Sequence, residues 1–145
     1  MKMEREIPSS LDALATLNDD LEGHLLAHGV VAERIGQVRL IVEELACNAL
    51  HHGQCAQHEA PLRLALRLDA KALVLELHDR GAAFDPTDTP MPALEAELDA
   101  RPIGGLGLYL VQQLADALDY RREGDANIVR VTLLAPYSPV LEDLP

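Results

Sequence analysis

The sequence predicts an α+β fold, a two-layer sandwich with helices on one face of a mostly antiparallel sheet. Two hydrophobic periods and their order along the chain carry that reading. Ile35, Val38, Val42, Leu45 and Ala49 recur at alternating steps of three and four, the mark of a helix with one buried seam. Leu62, Leu64, Leu66 and Leu68, then Leu73, Leu75 and Leu77, recur at every second position, as in two strands with one buried face. Two helices, a hairpin, a third helix and a second hairpin follow one another, an order that segregates helices to one side of a sheet.

Residues 1–7 form a short strand that stops at Pro8. Ser9 or Ser10 caps a helix through "LDALATLNDDLEGHLLAHG". Its Leu11, Leu14, Leu17 (or Asn18), Leu21 and Leu25 share one face, and Gly29 ends it. The second helix runs from about Ala32 to His51. Asp69-Ala70-Lys71 turns the chain between the strands of the first hairpin. A long loop follows Asp79, where Pro86, Pro90 and Pro92 oppose regular structure, and "ALEAELDA" forms a short helix. "LGLYLVQQLADAL" is the third main helix. "DYRRE", a turn at Gly124-Asp125-Ala126 and "NIVRVTLLA" make the second hairpin. The domain spans residues 5–135, and residues 136–145 are a flexible tail.

A chain of 145 residues, 48% hydrophobic, suits one domain with one core. No apolar run approaches the roughly 18 residues of a membrane span. "MKMEREIPSS" lacks the apolar stretch of a signal peptide, so a cytoplasmic location is expected. The net charge of −12, with no basic cluster, argues against direct nucleic-acid binding, because phosphate contacts need a positive footprint. Such a chain must hold an anion with backbone N–H groups, helix ends or a metal ion. Cys47 and Cys55 match no zinc or redox spacing and read as small apolar thiols. His24 and His28 lack a third ligand and read as a surface pair.

Three segments can carry chemistry, and each has a plainer alternative. On the second helix, Gln37, Glu44, Asn48 and His51 share a stripe roughly opposite the apolar seam. That stripe is either a solvated face or, since Leu40, Ile41, Cys47 and Leu50 crowd it, a site facing a polar partner. In "LELHDRGAAFDP", Asp79 ends a buried strand and Gly81 permits close backbone approach. The segment is either an ordinary Asp-x-Gly turn or a ligand acceptor at the sheet's end. In "RPIGGLGLYLV", Gly104, Gly105 and Gly107 precede a helix, either as a flexible lead-in or as a phosphate cradle. No Lys-Ser/Thr follows, and position 110 is Leu, so neither a Walker loop nor a dinucleotide fingerprint is present.

Together and in this order, the three segments resemble the N, G1 and G2 boxes of the GHKL (Bergerat-fold) ATP-binding superfamily. "VEELACNALHHG", "HDRGAAFDP", "GGLGLYLVQQLADALDY" and the closing "NIVRVTL" look most like its anti-sigma-factor, RsbW-like serine kinase branch. The resemblance implies an ATP-dependent serine/threonine kinase using ATP and Mg²⁺. Asn48 would coordinate Mg²⁺, and Glu44 would be the general base oriented toward the attacking hydroxyl, with Glu43 ranked behind it. Asp79 would accept the adenine amino group, and Gly81 would leave room for the base. Gly104, Gly105 and Gly107 would cradle the phosphates. Arg101, the cation nearest that loop, is a candidate for the γ-phosphate, the alternative being an ordinary surface arginine.

The implied partner is a small STAS-type anti-sigma-factor antagonist that the kinase phosphorylates. A sigma factor is a further implied partner, and family habit allows a homodimer. Two departures from the family pattern stand out. Ala82-Ala83 replaces a segment that often carries Gly or Pro, and Ile103 stands where many relatives place a basic residue. These motivate an alternative, a non-catalytic ATP- or ADP-responsive regulator of the same fold. A histidine-kinase catalytic domain separated from its phosphoacceptor is a third reading.

Overall fold

The computed structural model describes residues 1–7, 11–52, 62–88 and 105–137. The elements are β1 (Lys2–Ile7), α1 (Leu11–Ala27), α2 (Ala32–His52), β2 (Leu62–Leu68), β3 (Ala72–Asp79), α3 (Gly105–Leu114), β4 (Ala117–Glu123) and β5 (Ala126–Leu134). The five strands form one sheet in the order β1-β2-β3-β5-β4, and every pairing is antiparallel. The α+β class expected from the two hydrophobic periods is the class observed.

Period-two patterning sets the sheet's inner face. Leu62, Leu64, Leu66 and Leu68 of β2, Leu73, Leu75 and Leu77 of β3, and Val129, Val131 and Leu133 of β5 are all buried in one core. Against them lie Leu14, Leu17, Leu21 and Leu25 of α1 and the whole predicted seam of α2. Ile41 and Ala46, which flank that seam, are fully buried as well, so α2 is covered on more of its circumference than one seam requires. Asn18 joins Leu17 inside, and its Nδ2 donates to the Arg39 carbonyl of α2 (3.4 Å).

Chain reversals follow local chemistry. At the end of α1, Gly29 takes φ +83°, Val30 N–H reaches the Leu25 carbonyl (3.0 Å) and Gly29 N–H the Leu26 carbonyl (3.0 Å). This double closure needs a left-handed residue, which glycine supplies cheaply. Asp69 Oδ1 accepts the N–H groups of Lys71 (2.8 Å) and Ala72 (3.0 Å), fixing the β2–β3 turn. Gly124, at φ +57°, opens the β4–β5 turn.

Two expectations change. The third helix stops at Leu114, and Ala117 and Leu118 belong to β4, whereas the pattern suggested helix through Leu118. Backbone pairing decides this, because Asp116 N–H already donates to Thr132 O (2.9 Å) and the Asp116 carboxylate accepts Leu134 N–H (2.7 Å). Among the described residues of the loop after Asp79, Pro86–Asp88 form a 3₁₀ turn. Pro86 begins it, where a missing N–H costs nothing. Ser9 and Ser10, the "ALEAELDA" helix and the last eight residues of the tail lie outside the described residues.

Candidate functional site

The C-terminal half of α2 and the C-terminal end of β3 meet at one end of the molecule. Asn48 and Asp79, 31 positions apart in sequence, line one small cavity with Leu45, Ala82, Phe84 and Asn127. The stripe on α2 is therefore not a solvated face. Glu44, Cys47 and Asn48 are half-buried, and Asn48 looks into the space that ends at Asp79.

Asp79 is 6% exposed. Its Oδ1 accepts Gly81 N–H (2.9 Å) and the Asn127 side-chain amide (2.9 Å), and Asn127 is its direct register partner across β3 and β5. The Asp-x-Gly segment is thus a tight turn that also presents a buried carboxylate to the cavity. Gly81 is buried, and its carbonyl takes Arg122 Nη1 (2.9 Å).

Asn127 was not anticipated. Its amide nitrogen donates to Asp79 and to the Ala82 carbonyl (2.8 Å). Its oxygen accepts Tyr120 Oη (2.6 Å), Arg122 Nη1 (3.1 Å) and Phe84 N–H (3.4 Å). One 2% exposed amide therefore ties β3, β4, β5 and the loop after Gly81 together. A signal existed in the sequence. The register of "NIVRVTL" puts Asn127 on the same face as Val129, Val131 and Leu133, and a buried amide must have partners.

Glu44 lies one turn before Asn48. A Cβ built on Gly107 would overlap the Glu44 carboxylate, with Glu44 Cδ only 2.6 Å away. Gly107 sits in the first turn of α3, whose Leu108 and Val111 are buried against the core. Two predicted residues from distant segments are so brought together, with glycine providing the space for a carboxylate. Burial first, and the neighbouring Glu43 second, raise the Glu44 carboxyl above its ordinary range. The Cys47 thiol is raised by burial, Glu43 and Glu44, which keeps it protonated and unreactive at neutral pH. Gly105 is the first residue of α3. Gly104 and Arg101 lie outside the described residues, as does Cys55.

The chemistry available is that of an acceptor for an amino group (Asp79), a hard oxygen donor (Asn48), a carboxylate of raised basicity (Glu44) and a helix N-terminus (α3). Among the described residues no group of three His, Cys, Asp or Glu side chains gathers to hold a metal. A cation at Asn48 would take most of its shell from phosphate and water, which suits Mg²⁺. The cavity itself is about 10 Å³, room for about one water. A purine needs more room than this cavity offers.

The profile of the histidine kinase-like ATPase domain matches residues 7–133. Among curated proteins, the serine/threonine-protein kinase BtrW of Bordetella bronchiseptica is 34% identical over 93 residues, covering 64% of this chain and 66% of that protein, just under two thirds of its length. The serine-protein kinase RsbW of Bacillus pumilus is 25% identical over 138 residues, covering 91% of this chain and 85% of that one. Among solved structures, that of the RsbU and RsbW domains of Rv1364c from Mycobacterium tuberculosis superposes with a TM-score of 0.66 at 16% identity, over 91% of this chain and 32% of the other. A chain of the SiaB–SiaC complex from Pseudomonas aeruginosa superposes with a TM-score of 0.65 at 18% identity, over 90% and 88%. At such identities the structures establish a shared fold. No helix among the described residues is long and apolar enough to cross a membrane.

Proposed function

Because the chain belongs to the histidine kinase-like ATPase domain family, we propose that it is an ATP-dependent serine/threonine protein kinase and anti-sigma-type regulator. Its substrate is a STAS-domain anti-sigma-factor antagonist in a partner-switching system. The observation that carries this reading is the convergence of Asn48 and buried Asp79 on one cavity, with Glu44 one turn away against the first turn of α3. Names of the two curated relatives support the transfer of phosphate to serine or threonine.

In this reading Asp79 accepts the adenine amino group, a choice that rejects guanine because guanine presents a carbonyl there. Gly81 and Asn127 hold the Asp79 carboxylate in place. Asn48 is the protein's oxygen ligand for Mg²⁺, and the ion, when bound, neutralises charge on the phosphates. Gly104, Gly105, Gly107 and the α3 N-terminus bind phosphate through backbone N–H groups, and Arg101 is a candidate contact to the γ-phosphate. Glu44 orients the acceptor hydroxyl and takes its proton, and burial improves a carboxylate that is otherwise a weak base. A sigma factor is a second, nucleotide-dependent partner, and the chain acts in the cytoplasm.

The test is incubation with Mg-ATP and a cognate STAS-domain protein. One Ser or Thr of that protein should gain phosphate. Glu44→Ala should abolish transfer while sparing nucleotide binding, and Asp79→Asn should lose nucleotide binding. Equal transfer by Glu44→Ala refutes its role. Absence of transfer by a nucleotide-bound wild type favours the non-catalytic regulator, which the departures at Ala82-Ala83 and Ile103 suggest.

A further inference from the structure

The sheet's outer face, turned away from the helices, carries a trough of about 660 Å³. Lys2 and Glu4 of β1, Arg67 of β2, Glu76 of β3 and Arg130 of β5 line it. The short side chains of Ala65 and Val74, which also line it, leave the space between them.

Lys2 stands directly opposite Arg67 in the β1–β2 register. Like charges in that position repel, and a sheet normally places opposite charges or an apolar pair there. Among the described residues neither side chain donates a hydrogen bond or forms an ion pair. Asp69, in the β2–β3 turn, feels Arg67, but its Oδ1 is already occupied by two backbone N–H groups.

The carboxylates of the trough do not compensate. Glu76 is saturated: its Oε2 takes Arg130 Nε and Nη2 (both 2.6 Å) and faces Arg121 Nη1 (3.6 Å), while its Oε1 meets His78 Nε2 (3.3 Å). Glu4 lies across from Ala65 and makes no side-chain ion pair among the described residues. A molecule with a net charge of −12 thus keeps, at the wall of an open trough, a pair of cations with no ion-pair partner among the described residues.

We propose that this trough docks an acidic segment of a partner protein, its carboxylates seated on Lys2 and Arg67 and its backbone crossing Ala65 and Val74. Charge complementarity selects the occupant. A nucleic-acid strand is disfavoured by Glu4 and Glu76 in the same wall and by the lack of an aromatic ring for base stacking among its described lining residues. The surface lies across the sheet from the Asn48–Asp79 cavity, so a partner held there leaves the cavity accessible. The inference does not rest on nucleotide binding.

The experiment is a fluorescence anisotropy titration of the full chain with a short labelled peptide alternating glutamate and serine, at low salt. Saturable binding is expected, weakened about tenfold by Arg67→Glu and by Lys2→Glu, since loss of close charge complementarity acts at this scale. Glu4→Lys should tighten it, whereas Asp19→Lys, an equal change of net charge on the exposed surface of α1, should not. Arg67→Glu turns the like-charge register pair into an opposite-charge one, so its thermal midpoint should hold or rise, which separates lost docking from lost folding. Equal tightening by Glu4→Lys and Asp19→Lys would overturn the proposal in favour of long-range charge alone. Absence of saturable binding by folded protein, or equal affinity for a single-stranded oligonucleotide, would overturn it as well.

Discussion

Gly107→Ala gives the sharpest test of how the site is assembled. The added Cβ would overlap the Glu44 carboxylate, and what it meets is the mobile end of a side chain rather than backbone. Gly107 lies in α3, and its φ is not positive, so the backbone accepts alanine without strain. Replacing glycine by alanine in a helix gains about 0.5–1 kcal/mol. Pushing Glu44 off its rotamer costs about 0.5–1.5 kcal/mol. The two nearly cancel, so stability should change by less than about 1 kcal/mol, a thermal midpoint shift of no more than about 4 °C. Phosphate transfer should instead fall about 10²-fold or more, because a catalytic group displaced by about an ångström loses that much. Single-turnover transfer to the proposed STAS-domain substrate, beside thermal unfolding and nucleotide titration, measures each quantity. In a Glu44→Ala background the same glycine substitution should raise the thermal midpoint, since the helix gain remains and the side chain it would displace is gone. Transfer by Gly107→Ala within about threefold of wild type refutes the claim that this glycine makes room for the carboxylate.

Asn127→Ala leaves Asp79, Tyr120 and the Ala82 carbonyl short of a buried partner, so stability should fall by about 2–3 kcal/mol in denaturant unfolding, with nucleotide affinity falling too. Glu44→Gln should raise the thermal midpoint at neutral pH and leave it unchanged in acid. The folded-state pKa of Glu44 is raised, so its charged form weakens the fold as pH rises through that value, and glutamine removes the charge. For the same reason wild-type transfer should climb with pH through a midpoint above the ordinary carboxylate value of about 4.3. Phe84→Ala should widen the cavity between Asn48 and Asp79 and speed nucleotide entry in stopped-flow measurements, at a cost of about 1–3 kcal/mol in stability. Chelation of Mg²⁺ should weaken ATP binding more than tenfold while leaving adenosine binding unchanged, read by calorimetry.

What the sequence reveals about this fold depends on how local the physics is. The seam of α2 and the leucines of β2 and β3 declare themselves because burial imposes a period on the chain, and the structure buries every one of them. The end of α3 is not legible in the same way. "ADAL" satisfies a helix as well as a strand, and only the bonds of Asp116 to Thr132 and Leu134, across the sheet, decide it. Within the site, Glu44 and Asn48 could be placed on one stripe from helical geometry alone. Their meeting with Gly107 and Asp79 depends on packing between α2, α3 and β3, which no local pattern encodes. Asn127 is within reach, since strand alternation puts it on the buried face; what the residue grips, across three elements, is not.

The distribution of charge explains why such a site can sit in so acidic a chain. The exposed surfaces of α1 and α2 carry Asp12, Asp19, Asp20, Glu22, Glu33 and Glu43 against Arg34 and Arg39. Arg122 reaches this end of the molecule, where its Nη1 is committed to the Gly81 carbonyl and to Asn127. Through Nη1 it holds the loop. In the proposed function, a polyanion at this end of the molecule is held mainly by the partial charges of the α3 N-terminus and its glycines and by a divalent ion on Asn48, with Arg101 the candidate cation for the γ-phosphate. On that proposal the site binds a nucleotide more tightly together with its metal. Its occupancy then follows the concentration of the Mg-nucleotide complex, and a backbone cradle adds little attraction for other anions that diffuse toward a surface of the same sign. The acidic helices, on this argument, are part of the selectivity: they repel what the metal has not neutralised.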